Sequence, residues 1–348
     1  MSSRWMTVQV ACVYIGTVVG AGFASGREIY QFFAQFGPIA YVSIALVTVL
    51  FAWIGFRLMA LGAILGANSF RDVNAHLFTP RVRRIVDFAI LFMLFGTTVA
   101  MLAGTGELFR ERLSLPFTVG VAAAAGVTLV TMLFGMNGLL RVNSVIVPLL
   151  TCFVVYTAVH TWVHMHPPLH ALLHPEAVDS RTGFVVWINA LLYAAMNVGL
   201  SVGVLVPLGG QIRDQRTLRN GALVGAVGLG VLLCCVTFCL FAYMPDVQTY
   251  AIPMGYIASH FQSWLTWMFI AVLFGEIYST LIGNVYAIGS TIASGKRQFL
   301  WTSAAVLIVG GILGHFGFRI IVAYAYTAFG WVSMWFLLML MFARPRLR

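Results

Sequence analysis

Residues 15–26 read Ile15-Gly-Thr-Val-Val-Gly-Ala-Gly-Phe-Ala-Ser-Gly26, with four glycines and two hydroxyl residues inside the first apolar segment. Glycine weakens a helix by roughly 1 kcal/mol relative to alanine, so this stretch is expected to open rather than to span a membrane quietly. Irregular backbone at membrane depth is tolerated only where it is buried in protein or lines a cavity. A broken helix at mid-depth therefore points to a binding site of the kind that discontinuous helices build.

The rest of the composition agrees with a membrane setting. Of 348 residues, 61% are hydrophobic and 9% charged, with a mean hydropathy of +0.94. Soluble globular chains carry about 25% charged residues, so the chain reads as an all-α polytopic membrane protein whose first partner is the lipid bilayer. The net charge of +10 comes from arginines set between apolar segments rather than from a soluble basic patch, and no nucleic-acid partner is expected. Cys12, Cys152, Cys234, Cys235 and Cys239 all fall within apolar segments, without the spacing of a disulfide framework or a zinc site. Ser2 to Thr7 leads straight into a segment that belongs to the fold, so no cleavable signal peptide is expected.

A transmembrane helix needs about 20 mostly apolar residues, and ten such spans are expected. The first runs from Met6 to Phe36 and carries the break, and the second from Gly37 to Gly66. Ile85–Phe109, Pro116–Phe134 and Val142–Val163 follow. Beyond a His- and Pro-rich loop come Phe184–Leu208, Gly221–Tyr243, Ile257–Ala293, Phe299–His315 and Phe318–Phe342. With the N-terminus inside, 15 Lys and Arg residues fall on the cytoplasmic side and five outside, namely Arg27, Arg110, Arg112, Arg181 and Arg319. This asymmetry predicts a multi-pass protein of the bacterial cytoplasmic membrane with both termini cytoplasmic.

The sixth span reads Tyr193-Ala-Ala-Met-Asn197-Val-Gly199-Leu-Ser201-Val-Gly203-Val-Leu-Val-Pro207. Its small and polar centre resembles that of the first, so a second broken helix is expected. Each of the two opens a block of five spans, and because five is odd the blocks enter the membrane from opposite sides. That predicts a single domain over 1–348 built as a five-plus-five inverted repeat, approximately 6–163 and 184–342. Paired interruptions of this kind mark a transporter site, although small-x-x-x-small patterns also serve close helix packing.

The run Tyr14-Ile-Gly-Thr-Val-Val-Gly-Ala-Gly-Phe-Ala-Ser-Gly26-Arg-Glu28, followed by Gln31-Phe-Phe, resembles the YkvI-like bacterial membrane proteins, as does Val204-Leu-Val-Pro-Leu-Gly209. That family is grouped with the amino acid–polyamine–organocation superfamily. The resemblance implies the inverted-repeat fold of the sodium-coupled leucine transporter. It also implies a Na⁺ site made by the carbonyls of Gly16 and Val19, the carbonyl of Glu276 and the hydroxyls of Ser279 and Thr280. Neutral oxygens of this kind suit a hard cation. A second sodium is not expected, because Phe23 stands where that position takes an asparagine, leaving Asn197 alone. Depth agrees independently: Gly16 lies roughly 15 Å into its span at 1.5 Å per residue, and Ser279 roughly 21 Å into the apolar run that begins near Leu265.

Among titratable residues, Glu276 is the carboxylate expected near mid-membrane, where an ionisable side chain is a functional-site hypothesis by default. It is a candidate proton carrier. Arg27 and Glu28 follow the break and are candidates for gating or an ordinary interfacial role; Arg57 and Asp87 are read as snorkelling. Glu107, Arg110, Glu111 and Arg112 read as a solvated outer face. His160, His164, His166, His170 and His174 read as a solvated outer loop rather than a zinc site. Tyr193 and Tyr278 are candidates for a cavity. No protease, lipase or P-loop motif occurs, so neither an enzyme nor an ATP-driven pump is expected.

The expected activity is secondary transport, with Na⁺ as coupling ion and no other cofactor, of a small organic solute such as an amino acid. Gly20, Ala21, Gly22, Tyr193, Asn197, Gly199 and Ser201 are the candidate solute-binding residues, because exposed half-helix ends suit a carboxylate and an ammonium. The rival readings are a sensor that binds without translocating, an ion channel, and proton-coupled transport through Glu276.

Overall fold

Gly20 adopts an extended backbone (φ −137°, ψ −169°), and this one residue ends the first helix in mid-span. The structure, a computed structural model, describes residues 3–165, 183–250, 252–316 and 318–342. The first span divides into α1 (Ser3–Val18), α2 (Ala21–Ala24) and α3 (Arg27–Phe32). Gly26 joins the last two in the left-handed region at φ +80°, where a side chain would be strained. Helices α4 (Ile39–Leu65), α5 (Phe70–Leu77), α6 (Pro80–Arg112), α7 (Phe117–Met132) and α8 (Gly135–Met165) complete the first half. The second half contains α9 (Phe184–Ile212), α10 (Gln215–Ala242), α11 (Pro253–Ser259), α12 (Ser263–Ile292), α13 (Lys296–Leu313) and α14 (Phe318–Phe342). Among the described residues there is no strand.

Among the described residues, six helices (α4, α6, α8, α9, α10 and α12) are long and apolar enough to cross a bilayer, and α7 is a shorter apolar helix. Their outer faces are apolar: Val49 and Ile64 on α4, Val227 and Val231 on α10, and Ile308 and Ile312 on α13 are exposed. Polar side chains point inward instead, with Ser43, Thr97, Thr98, Asn143, Ser279 and Asn284 all buried. Such an inside-out arrangement suits hydrocarbon, where buried polar groups find one another. Thus Asn284 Nδ2 donates to Thr97 Oγ1 at 2.9 Å between α12 and α6.

The predicted break in the sixth span is corrected. Helix α9 runs without interruption from Phe184 to Ile212, through Asn197, both glycines and Pro207. Its small residues let neighbours approach rather than opening the backbone. A Cβ on Gly199 would lie 2.3 Å from Ser333 Oγ, and one on Gly203 2.5 Å from Ala287 Cβ. A Cβ on Gly209 would lie 2.0 Å from the Met59 carbonyl oxygen, and one on Gly62 of α4 2.1 Å from that of Val206. Gly209 and Gly62 seat α9 backbone-to-backbone on α4, as small-residue contacts do in membranes.

Helices α1, α4, α9 and α10 form one packed group. Tyr14 of α1 donates its hydroxyl to the Phe51 carbonyl of α4 at 2.7 Å, in space left by Gly55, whose Cβ would fall 2.5 Å from the Tyr14 ring. A Cβ on Gly221 of α10 would lie 2.4 Å from Val10 Cγ1 of α1.

Two short elements were not expected: α5 lies between spans, and α11 takes up the start of the expected span Ile257–Ala293, whose long helix begins only at Ser263. Helix α5 opens with a reciprocal Ser69–Asp72 capping box, and α11 is separate from α12. The structure also corrects the snorkelling read for Asp87. That carboxylate is buried, accepts from Asn74 Nδ2 at 2.8 Å and pairs with Arg83 at 3.5 Å and Arg71 at 3.8 Å. Arg71 in turn reaches the Thr291 carbonyl at the end of α12, so α5, α6 and α12 are tied together at one end of the bundle. At the expected outer face, Glu107 pairs with Arg110 at 2.5 Å.

Candidate functional site

In a continuous helix the carbonyl of Gly16 would accept from the N–H of Gly20, and that of Val19 from Phe23. The break removes both bonds; the last regular one is Val19 N to Ile15 O at 2.8 Å. Each freed carbonyl meets a hydroxyl of α12 instead. Ser279 Oγ lies 3.0 Å from Gly16 O, and Thr280 Oγ1 lies 3.1 Å from Val19 O. Four of the five residues predicted for an ion site are thereby brought together by two helices far apart in sequence.

A fifth oxygen comes from α8. Asn143 donates its amide to the Leu139 carbonyl at 3.0 Å, which turns Oδ1 toward Ser279 Oγ at 2.7 Å. Gly16 makes this possible, because a Cβ there would lie 1.7 Å from Asn143 Oδ1. Gly16 O, Val19 O, Asn143 Oδ1 and the hydroxyl oxygens of Ser279 and Thr280 form an oxygen-rich cluster with only two protons among them. The single Ser279 proton faces two acceptors. Such a cluster has spare lone pairs and can hold a hard cation.

Asn143 was missed in the sequence because the fifth span was expected to start at Val142, placing the residue at an interface. Helix α8 begins at Gly135, which moves Asn143 two turns inside. A buried-facing asparagine within an apolar run was the available signal.

Glu276 lies one turn before Ser279 and Thr280 on α12, and residues at that spacing share a helix face. It is fully buried, and neither carboxyl oxygen has a hydrogen-bond partner among the described residues. Its carbonyl, the remaining predicted ligand, belongs to the regular part of α12.

The solute-site candidates separate. Gly20 faces α12, since its Cβ would stand 3.1 Å from Thr280 Oγ1, and Ala21 is buried beside it at the start of α2. Gly22 faces Glu28, whose Oε1 would be 2.0 Å from a Cβ there. The Tyr193 ring packs on Phe33 at 4.9 Å and Phe32 at 5.5 Å, and its buried hydroxyl has no partner among the described residues. Asn197, by contrast, returns its amide to the Tyr193 carbonyl at 2.9 Å, and Ser201 Oγ bonds the Val198 carbonyl. Gly199 points away from the break and, with Met93 and Ser333, lines an apolar cavity of about 320 Å³ between α6 and α14. Tyr278 turns to α7, where its hydroxyl meets Thr131. His160 and His164 stack at 3.8 Å; His166, His170 and His174 lie outside the described residues. No group of three or more metal-ligating side chains occurs among the described residues.

Over 340 residues the chain is 32% identical to the uncharacterized membrane protein YkvI of Bacillus subtilis strain 168, spanning 96% of this chain and 95% of that one. The chain belongs to the YkvI family. A second relative from the same strain, the protein YyaD, is 24% identical over 339 residues, 97% of this chain and 95% of the other. No family model matches.

Solved structures place the YkvI family among known folds. A substrate-bound, outward-open Na⁺-coupled sialic acid symporter superposes with a TM-score of 0.71 at 12% identity, over 97% of this chain and 79% of that one. A manganese transporter of Eremococcus coleocola gives 0.59 at 12% identity, over 96% and 75%. The nucleobase-cation-symport-1 transporter Mhp1, closed around bromovinylhydantoin, gives 0.58 at 14% identity, over 96% and 74%. At these identities the likeness is one of fold, and the fold is the leucine-transporter-like one.

Proposed function

We propose that this YkvI-family protein is a secondary transporter, a Na⁺-coupled symporter of a small organic solute such as an amino acid. The observation that carries the reading is the pairing of Gly16 and Val19 carbonyls with Ser279 and Thr280 hydroxyls across the break. The transported Na⁺ would sit among these oxygens and that of Asn143, each hydroxyl turning a lone pair inward and its proton outward. Such a site joins α1 to α12, so filling and emptying it would bias how the two helices sit together. The shared fold supports alternating access, in which α1, α4, α9 and α10 rock against the remaining helices. We read the chain as one domain of two five-span inverted repeats in the amino acid–polyamine–organocation superfamily, in the cytoplasmic membrane with both termini inside.

Uptake into proteoliposomes tests the reading. Radiolabelled amino acids are expected to accumulate under an inward Na⁺ gradient and not under an equal K⁺ gradient. Saturable binding with no flux under any gradient would leave a sensor in place of a transporter.

Proton coupling through Glu276 is the second reading, favoured by its buried carboxyl without a hydrogen-bond partner. Uptake that follows a pH gradient, ignores Na⁺ and vanishes in Glu276→Gln would select it.

A further inference from the structure

Glu28 is the other acid beside the break, and nothing in the ion-site reading uses it. Its side chain is 6% exposed, yet none of the hydrogen bonds or ion pairs among the described residues involves it. The neighbouring Arg27 points elsewhere, to the Gln248 carbonyl at 3.2 Å and over the Tyr30 ring at 5.5 Å. Gly22 is what admits the carboxylate: a Cβ there would lie 2.0 Å from Oε1 and 2.5 Å from Cδ. The acid is therefore folded back against the backbone of α2, beside the break.

A buried polar atom without a partner lies on α9, which packs against α3. Phe32 is one turn beyond Glu28 on α3, and its ring sits 5.5 Å from that of Tyr193. Among the described residues the Tyr193 hydroxyl has no hydrogen-bond partner. Phe33 at 4.9 Å and Phe51 at 6.2 Å complete an aromatic wall around Tyr193. A buried carboxylate without a cation is costly, and an unpaired phenol adds to that cost.

We infer that Glu28 and Tyr193 form the cation-recognising end of the solute site, and that the solute carries an ammonium nitrogen. This deepens the transporter reading and rests on it. An ammonium has up to three donors: two can go to the carboxylate oxygens and one to the phenol oxygen. The surrounding ring faces favour a cation within about 6 Å of their centroids. A metal ion fits this corner less well than the five-oxygen cluster beside α12, because hard cations take many oxygen ligands. Glu28 and Tyr193 supply three, and the nearby Gly22 carbonyl already accepts from Ser25 Oγ at 2.9 Å.

Purified protein in NaCl and in KCl tests this by thermal shift with probes of similar length: butylamine, 2-aminobutyrate, butyrate and butanol. The ammonium-bearing probes are expected to raise the melting temperature, and butyrate and butanol to leave it unchanged. Glu28→Gln is expected to weaken the amine response about tenfold or more, as loss of a charged hydrogen bond does, and Tyr193→Phe about fivefold. Both should keep their Na⁺-dependent shift, which reports that the fold and the ion site are intact. Should Glu28→Gln fail to fold, Tyr193→Phe and Glu28→Asp carry the test. An undiminished amine response in the folded variants, an equal response to butyrate, or a wild type insensitive to every ammonium probe overturns the inference. Loss of Na⁺ dependence with a Glu28-dependent amine response overturns the ion reading alone.

Discussion

Thr280 Oγ1 stands 3.1 Å from the carbonyl oxygen of Val19, a contact between residues 261 positions apart. It exists because Gly20 leaves the helix, freeing that carbonyl from its own chain. One residue earlier on α12, Ser279 does the same for Gly16. A single backbone interruption thus produces two acceptors, and one helix supplies a hydroxyl for each.

Replacing both hydroxyls should therefore remove the ion response while sparing the fold. Ser279→Ala with Thr280→Ala is expected to express normally and to melt at the same temperature in NaCl and KCl. At a Na⁺ concentration one hundred times Kd, the wild type should be stabilised by about 2.7 kcal/mol. A Na⁺-dependent melting shift that survives in the double variant would refute the site.

Gly16 is expected to be intolerant for a local reason. The Cβ of Gly16→Ala would fall 1.7 Å from Asn143 Oδ1 and 2.8 Å from Ser279 Oγ. Overpacking of this kind costs about 1–3 kcal/mol. Chemical denaturation should show the loss, and adding Asn143→Ala should restore much of it because the clash is with that side chain. Additive losses in the double variant would mean that the glycine serves another purpose.

Two glycines in membrane helices should behave oppositely. Gly62→Ala places a Cβ 2.1 Å from a backbone oxygen of α9, which cannot rotate away, so poor expression or a large drop in melting temperature is expected. Gly126 of α7 has nothing within 4 Å of its Cβ position. Gly126→Ala should be neutral or stabilising by up to about 1 kcal/mol through helix propensity. Expression and thermal melting of the pair decide the matter.

Outside the membrane, Asp214 caps α10 by accepting from the backbone N–H groups of Arg216 and Thr217. The hydroxyl of Thr217, together with these amides, holds its carboxyl below the usual carboxylate range. A lowered folded-state pKa contributes stability that is complete above the unfolded value and is lost as pH falls through the folded one. The melting-temperature gap between wild type and Asp214→Ala should be constant from about pH 7 to about pH 5, and close only below about pH 3.9. A gap that widens with acid would contradict the cap.

The two apolar interruptions looked alike in the sequence and turned out different. Both Gly16–Gly26 and Asn197–Gly203 are small and polar, and composition cannot tell a helix that opens from one that packs closely. Helix α9 stays intact because α4, α12 and α14 fill the space at its glycines. The pairing of Ser279 and Thr280 with Gly16 and Val19 was accessible through the family resemblance, since it depends on residue type at matched positions. Asn143 was not, because it looked interfacial until the helix start at Gly135 was known, and Glu28 was read only as a gating or interfacial residue until the turn at Gly26 was known.

Taken alone, the sequence determined the membrane setting, the helical class and a break within Ile15–Gly26, because hydropathy over about 20 residues and glycine's backbone freedom act locally. Which carbonyl meets which hydroxyl, which glycine admits Glu28, and whether the sixth span opens were decided only in the tertiary structure. Those outcomes depend on what a neighbouring helix places within 4 Å, and that is set by packing between residues hundreds of positions apart.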